Sequence, residues 1–196
     1  MLRFLIVAAG LLLAACGPSA VSGPSSSEEN GALPQPEPPT AWQKETFGSL
    51  ADLVGKTFLG GPGGDSSEQT ADVQYWSWAV GGSVLSITHA LEDGSYGGET
   101  LVYRDNSTDG LAYVYVTDGG FMTQGSFTLD DEGGWVAEEE VTGHPTITKV
   151  RSTGVMKETG ELVSTSEYLQ NGEWVAGNNF TYREVVGRRP EFDAPG

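Results

Sequence analysis

Turn-forming pairs constrain this chain more than any other feature from Lys56 onward. Gly81-Gly82, Asp93-Gly94, Asp109-Gly110, Gly119-Gly120, Gly133-Gly134, Thr159-Gly160 and Asn171-Gly172 are separated by stretches of 8–14 residues, apart from a longer one that Gly143-His144-Pro145 divides. Gly, Asn and Asp supply the positive φ angles that tight hairpins need. The stretches between them alternate in polarity. They predict strands near Lys56–Gly60, Ala71–Val80, Ser83–Leu91, Tyr96–Asp105, Leu111–Thr117, Phe121–Asp130, Trp135–Thr142, Thr146–Met156, Glu161–Gln170 and Glu173–Glu184. A meander this long leaves exposed edges unless the sheet closes on itself. The expected fold is all-β: an up-and-down antiparallel barrel of about ten strands, with a two-sheet sandwich as the alternative. The segment Gly60–Glu68 is a polar, glycine-rich loop, too long for a tight turn.

Only Trp42–Gly55 reads as helical. Phe47, Leu50, Leu53 and Val54 share a face at helical spacing, Thr46 or Ser49 could cap the start, and Gly55 suits a left-handed end. So short a helix needs a sheet to pack against. Residues 17–40 are rich in Pro, Ser, Gly and Glu and cannot bury enough apolar surface to order themselves. Pro34, Pro36, Pro38 and Pro39 favour an extended, stiffened tether. Residues 42–186 are left for the barrel and 187–196 for a loose tail with Pro190 and Pro195.

The chain carries 27 acidic against 10 basic side chains, a net charge of -17. Such a surface repels nucleic acid and anionic headgroups, so nucleic acid is not an expected partner. Cys16 is the only cysteine, which excludes an intrachain disulfide and a thiolate cluster.

Strand periodicity separates the two faces. One phase collects Trp76 and Trp78, with Asp72 and Gln74 before them. Others collect Leu85, Ile87, His89 and Leu91; Glu99, Leu101 and Tyr103; Leu111, Tyr113 and Tyr115; and Trp174, Asn178, Phe180 and Tyr182. These phases are assigned to the interior. An interior of Trp, Tyr, Leu and a few polar groups is what a small-ligand cavity presents, although the same side chains could simply fill the barrel. The candidate ligand-binding residues are therefore Trp76, Trp78, Ile87, His89, Glu99, Leu101, Tyr103, Tyr113, Tyr115, Phe180 and Tyr182. His89 is expected beside Glu99 or Tyr103, as a satisfied core histidine or as a base.

Other patterns point away from chemistry. Glu139 shares a phase with Trp135, Ala137 and Val141, and is expected to turn inward toward Arg151 or Arg104, while Glu138 and Glu140 face out. Gly60–Gly64 lacks the Lys-Ser/Thr end of a phosphate loop, and no nucleophile elbow precedes a helix. His144 lies in the turn Gly143-His144-Pro145. The two histidines lack metal-ligand spacing, and no histidine follows Pro145 to serve as a proximal haem ligand. No cofactor or metal is expected, and no catalytic set is visible in the sequence.

Two resemblances add to this reading. Met1–Ala15 has one basic residue, Arg3, and an apolar core from Phe4 to Leu13, too short for a comfortable bilayer span. With Leu13-Ala14-Ala15-Cys16 it resembles the signal peptide and lipobox of bacterial lipoproteins. The resemblance implies cleavage before Cys16, a diacylglyceryl group on its thiol and acylation of the new amino group. Residues 1–15 would be the signal and 16–41 the lipidated tether; an ordinary signal peptide or an uncleaved anchor is the alternative. Gly17 after the cysteine, by the same resemblance, permits delivery to the outer membrane facing the periplasm. Separately, Gly55-Lys56-Thr57-Phe58 and the following tryptophan-rich strand resemble the lipocalin-like, or calycin, barrels. Those often open with Gly-x-Trp, which Phe58 replaces one position late. The likeness spans roughly Phe47 to Glu184 and includes uncharacterised bacterial families. Together these imply a lipid-anchored envelope barrel that binds a small apolar or amphipathic molecule. The alternative is a structural module with a filled barrel and an envelope protein as partner.

Overall fold

In a computed structural model of the chain, residues 37–62 and 70–193 are described. The signal and lipobox readings, most of the tether and much of the Gly60–Glu68 loop lie outside those residues. Ten strands form one closed antiparallel barrel: β1 (Thr57–Pro62), β2 (Asp72–Ala79), β3 (Val84–Leu91), β4 (Gly97–Asp105), β5 (Gly110–Thr117), β6 (Met122–Leu129), β7 (Trp135–Thr142), β8 (Ile147–Met156), β9 (Glu161–Gln170) and β10 (Glu173–Val185). Every strand pairs with its sequence neighbours, and β1 closes the ring by pairing with β10, Thr57 opposite Val185. The barrel is thus the one expected, and the sandwich is excluded. Positive φ angles fall on Gly82, Gly94, Asp109, Gly120, Gly133, Gly160 and Asn171, within the turn pairs read from the sequence.

One end is plugged. Helix α1 (Ala41–Phe47) begins at Thr40 rather than at Thr46 or Ser49. The Thr40 hydroxyl accepts from the Gln43 amide at 3.2 Å, and the Gln43 side chain accepts from the Thr40 amide at 2.8 Å. The helix is also not continuous to Gly55: it ends at Gly48, at φ 52°, and a 3-10 segment (Gly48–Leu53) follows. Two hydrogen bonds tie this plug to hairpins at the same end. Gln43 Nε2 donates to the Gly82 carbonyl at 2.9 Å, and Ser49 Oγ donates to the Gly133 carbonyl at 3.1 Å. Phe47, Leu50, Ala51 and Leu53 are buried and join Phe58, Trp76, Leu85, Val102, Tyr113, Phe127, Ala137, Leu162 and Tyr182 in a single core.

The segment read as a loose tail carries contacts as far as Asp193. Arg188 pairs with Glu92 at 2.6 Å, and the Arg188 carbonyl accepts from Thr57 Oγ1 at 3.0 Å. The Arg189 guanidinium lies 3.8 Å from the centre of the Tyr75 ring.

Candidate functional site

Above the plugged end the barrel is hollow. A cavity of about 660 Å³ runs from Trp76, Phe127, Trp135 and Leu162 up to the opposite end, where Asp93, Ser95, Tyr96 and His144 line it. Among the described residues that line it there is no Lys or Arg, whereas three carboxyl side chains do: Asp72, Asp93 and Glu139.

Glycines within strands make the room. At Gly60 an added Cβ would stand 2.2 Å from the Tyr182 ring, and at Gly98 it would stand 2.6 Å from the Tyr115 ring. At Gly154 it would stand 1.9 Å from Trp135. In each case a large ring lies over the bare backbone of a neighbouring strand. The tyrosines thereby reach past that strand. Gly60 is paired with both Tyr182 and Asp72, and the Tyr182 hydroxyl donates to Asp72 Oδ2 at 3.0 Å. Gly98 is paired with His89, and the Tyr115 hydroxyl stands 2.7 Å from His89 Nε2.

These contacts join into one chain. The buried Asp72 carboxylate meets His89 Nδ1 at 2.8 Å, and the Tyr115 hydroxyl meets the Tyr96 hydroxyl at 2.8 Å. An ionised Asp72 only accepts, so Nδ1 of His89 carries a proton, and in the neutral ring Nε2 accepts from Tyr115. The order Tyr182–Asp72–His89–Tyr115–Tyr96 thus girdles the upper cavity. Burial pushes the phenols of Tyr96, Tyr115 and Tyr182 above the usual tyrosine range, and the Asp72 charge adds to this at Tyr115 and Tyr182, so all three stay protonated. With both ring nitrogens of His89 engaged, this is an orienting network rather than a free base. His144 is held separately: its Nδ1 accepts from the Thr146 and Ile147 amides at 3.2 and 3.0 Å, which puts the neutral ring's proton on Nε2.

Seven of the candidate residues line the cavity: Trp76, Ile87, His89, Tyr113, Tyr115, Phe180 and Tyr182. Trp78 shares the phase of Trp76 but sits at the plugged end, its ring 5.3 Å from that of Phe47. Glu99, Leu101 and Tyr103 face outward. The register pairs Ile87 with Thr100 and Leu85 with Val102, so the even positions of β4 point in. Glu99 is exposed and accepts from Ser86 Oγ at 2.7 Å on the outer face. His89 consequently has Asp72 and Tyr115 as partners, not Glu99 or Tyr103. Trp174 also faces outward, under the Arg151 guanidinium at 4.0 Å. A bulge between Ala176 and Asn179 inserts one residue into β10 and reverses its phase below that point.

Glu139 does turn inward, as expected, but not toward arginine. Arg151 pairs with Glu167 and Arg104 with Asp109, both on the outer surface. Its neighbours are Tyr113 and Thr123, and Gly125 stands between Tyr113 and Glu139 in the register. Burial holds the Glu139 carboxyl above the ordinary glutamate range, tempered by the nearby Thr123 and Tyr113 hydroxyls.

Asp72, Tyr96, Thr123, Phe127, Trp135 and Leu162 also line the cavity and were not among the candidate residues. Asp72 carried a signal in the shared phase of Trp76. Tyr96 and Thr123 carried none. Among the described residues, no three His, Cys, Asp or Glu side chains come together as a metal site, and no helix is long and apolar enough to cross a membrane. Compared with known protein families and with curated proteins, the chain matches none.

Proposed function

We propose that this protein is a lipid-anchored barrel of the bacterial envelope that binds a small apolar or amphipathic molecule in its interior. The observation that carries the reading is the cavity of about 660 Å³, lined by Trp76, Trp135, Phe127 and Phe180 and sealed below by the plug. That volume lies within the range of ordinary ligand pockets. Closing the lower end removes a through-channel and leaves a cup. The acylated Cys16 would hold the cup at the membrane, where apolar ligands are concentrated.

The test of binding is a Nile red titration of the full chain carrying Cys16→Ala. The probe should become fluorescent at micromolar protein and change the indole emission. Burial at about 25 cal/mol per Å² leaves micromolar affinity within reach after the costs of association. No probe emission and no indole change would sink the ligand-binding reading. The anchor is tested by fatty-acid labelling in a bacterial host: the wild type should incorporate label, and Cys16→Ala should not. A mature wild-type chain without lipid would remove the anchor and leave the cup.

A further inference from the structure

Glu139 stands in the cavity with no countercharge among the described residues. It lies on the inner face of β7 between Ala137 and Val141 and is paired across the ladder with Val150, and all of these line the cavity. Every Lys and Arg of the chain except Arg3 is described, and none of them lines the cavity. The lipobox reading removes Arg3 with the signal. The two histidines of the cavity are engaged elsewhere, His89 with Asp72 and Tyr115 and His144 with the Thr146 and Ile147 amides. Hydrogen bonds from the Tyr113 and Thr123 hydroxyls favour the ionised carboxyl, but burial outweighs them. A cation that relieves this cost has to come from outside the chain.

The surroundings of Glu139 say what kind of cation. Its carboxyl meets the Tyr113 hydroxyl across Gly125, and the Tyr113 ring packs edge-on against Phe127 with centroids 5.9 Å apart. Phe127 stacks on Trp135 at 6.1 Å, and Trp135 meets Trp76 at 6.3 Å. A carboxylate at the end of a continuous aromatic wall suits a weakly hydrated organic cation, drawn both by the charge and by the negative ring faces. A metal ion would need a shell of oxygens, which Ala137, Val141 and Val150 do not supply. An anionic head would lie near Glu139 with nothing to offset the repulsion. The net charge of -17, with Asp93 at the end of the cavity opposite the plug, draws cations toward the barrel.

We infer that the cavity is a binding site for the ammonium group of an amphipathic organic cation, paired with the Glu139 carboxylate beside Tyr113 and Phe127, its alkyl body lying along Trp135 and Trp76. This rests on the ligand-binding reading above and specifies its ligand class. Asp72 does not compete for the ammonium, because its oxygens are taken by His89 and Tyr182.

A chain-matched displacement series tests it. Full-length protein carrying Cys16→Ala is loaded with Nile red at pH 8, then titrated with dodecyltrimethylammonium, dodecanol and dodecanoate, each below its aggregation limit. Dodecyltrimethylammonium should displace the dye at roughly tenfold lower concentration than dodecanol, the scale of one desolvated cation–ring contact or ion pair, and dodecanoate should be the weakest. Glu139→Gln should cut the cation's advantage over dodecanol several-fold and leave dodecanol itself unchanged. Glu138→Gln removes the same charge from the exposed face of the same strand and should leave the whole series unchanged. A cation preference that survives Glu139→Gln, or that falls equally in Glu138→Gln, would trace to the acidic surface and overturn the site. Equal displacement by all three in the wild type, or a preference for dodecanoate, would overturn it without any variant, and the cavity would stand. No Nile red binding at all would remove the ligand-binding reading and this inference with it.

Discussion

The two ends of the barrel are built from the same strands by opposite means. At the lower end, side chains are packed: Phe47, Leu50 and Leu85 are buried against strand residues, and among the described residues two side-chain hydrogen bonds pin the plug to the strand hairpins. At the upper end, side chains are connected: Asp72, His89, Tyr115, Tyr96 and Tyr182 hold position through hydrogen bonds around empty space. Packing gains free energy from area removed from water and needs no exact partner. A hydrogen-bonded girdle gains little net free energy per bond but fixes each group in place. The molecule therefore places its apolar packing below and its hydrogen-bonded order above. A cavity can exist in so small a domain because the plug supplies a core that the strands' interior faces do not have to complete.

The largest expected effect tests that division. Phe47→Ala removes a fully buried ring from the plug and should cost about 3–5 kcal/mol. Phe121→Ala removes a half-exposed ring that lines the upper cavity beside His144, and should cost about 1 kcal/mol or less. Urea midpoints on the two variants measure both. Equal losses would mean that the upper end is packed as firmly as the lower one, and the comparison would collapse.

A middle-sized effect is expected in the girdle. Asp72→Asn leaves one acceptor oxygen where two donors converged, and sets an amide N–H against either His89 Nδ1–H or the Tyr182 hydroxyl. The loss should be about 1–3 kcal/mol in urea unfolding. The imidazole NMR signals of His89 should shift while those of His144, held by its own backbone contacts, should not. If both histidines move together, the girdle is not a separate unit.

The difference between the ends also explains what the sequence made legible. Strand number, turn positions and the inward phases of β2, β3 and β5 followed from alternation, because on those strands one face is plainly more apolar. On β4 it is not: Leu101 and Tyr103 compete with Val102, and only pairing with Leu85 and Ile87 decides that Val102 and Thr100 face in. On β10 alternation is broken by the bulge, so Trp174 and Phe180, in phase by counting, end on opposite faces. The hydrogen-bonded girdle was the least legible part. Tyr182 reaches Asp72, and Tyr115 reaches His89, only because Gly60 and Gly98 lie between them. A glycine inside a strand looks like a weak point in a sequence, not like the gap a tyrosine crosses.

The smallest expected effect concerns Glu139, which lies between the two ends. Among the described residues its carboxyl has no cationic partner, and burial raises its pKa above the ordinary glutamate value of 4.5. The native state therefore holds its proton to higher pH than the unfolded chain does. Across that interval the native state binds more protons, so this group's contribution to stability falls as pH rises from about 4.5, and the penalty is complete above the raised pKa. Glutamine at this position does not titrate. Glu139→Gln should match the wild type near pH 4 and be the more stable of the two at pH 8, the gap widening between those limits and then levelling off. Urea unfolding of both proteins across that range reads the difference directly, and every titrating group common to both cancels. A gap that shrinks as pH rises would mean that the native state favours the ionised carboxylate. Glu139 would then behave as a satisfied acceptor of the Tyr113 and Thr123 hydroxyls. Glu139 and its two hydroxyl neighbours would then belong to the hydrogen-bonded region of the upper end rather than marking its boundary with the packed one.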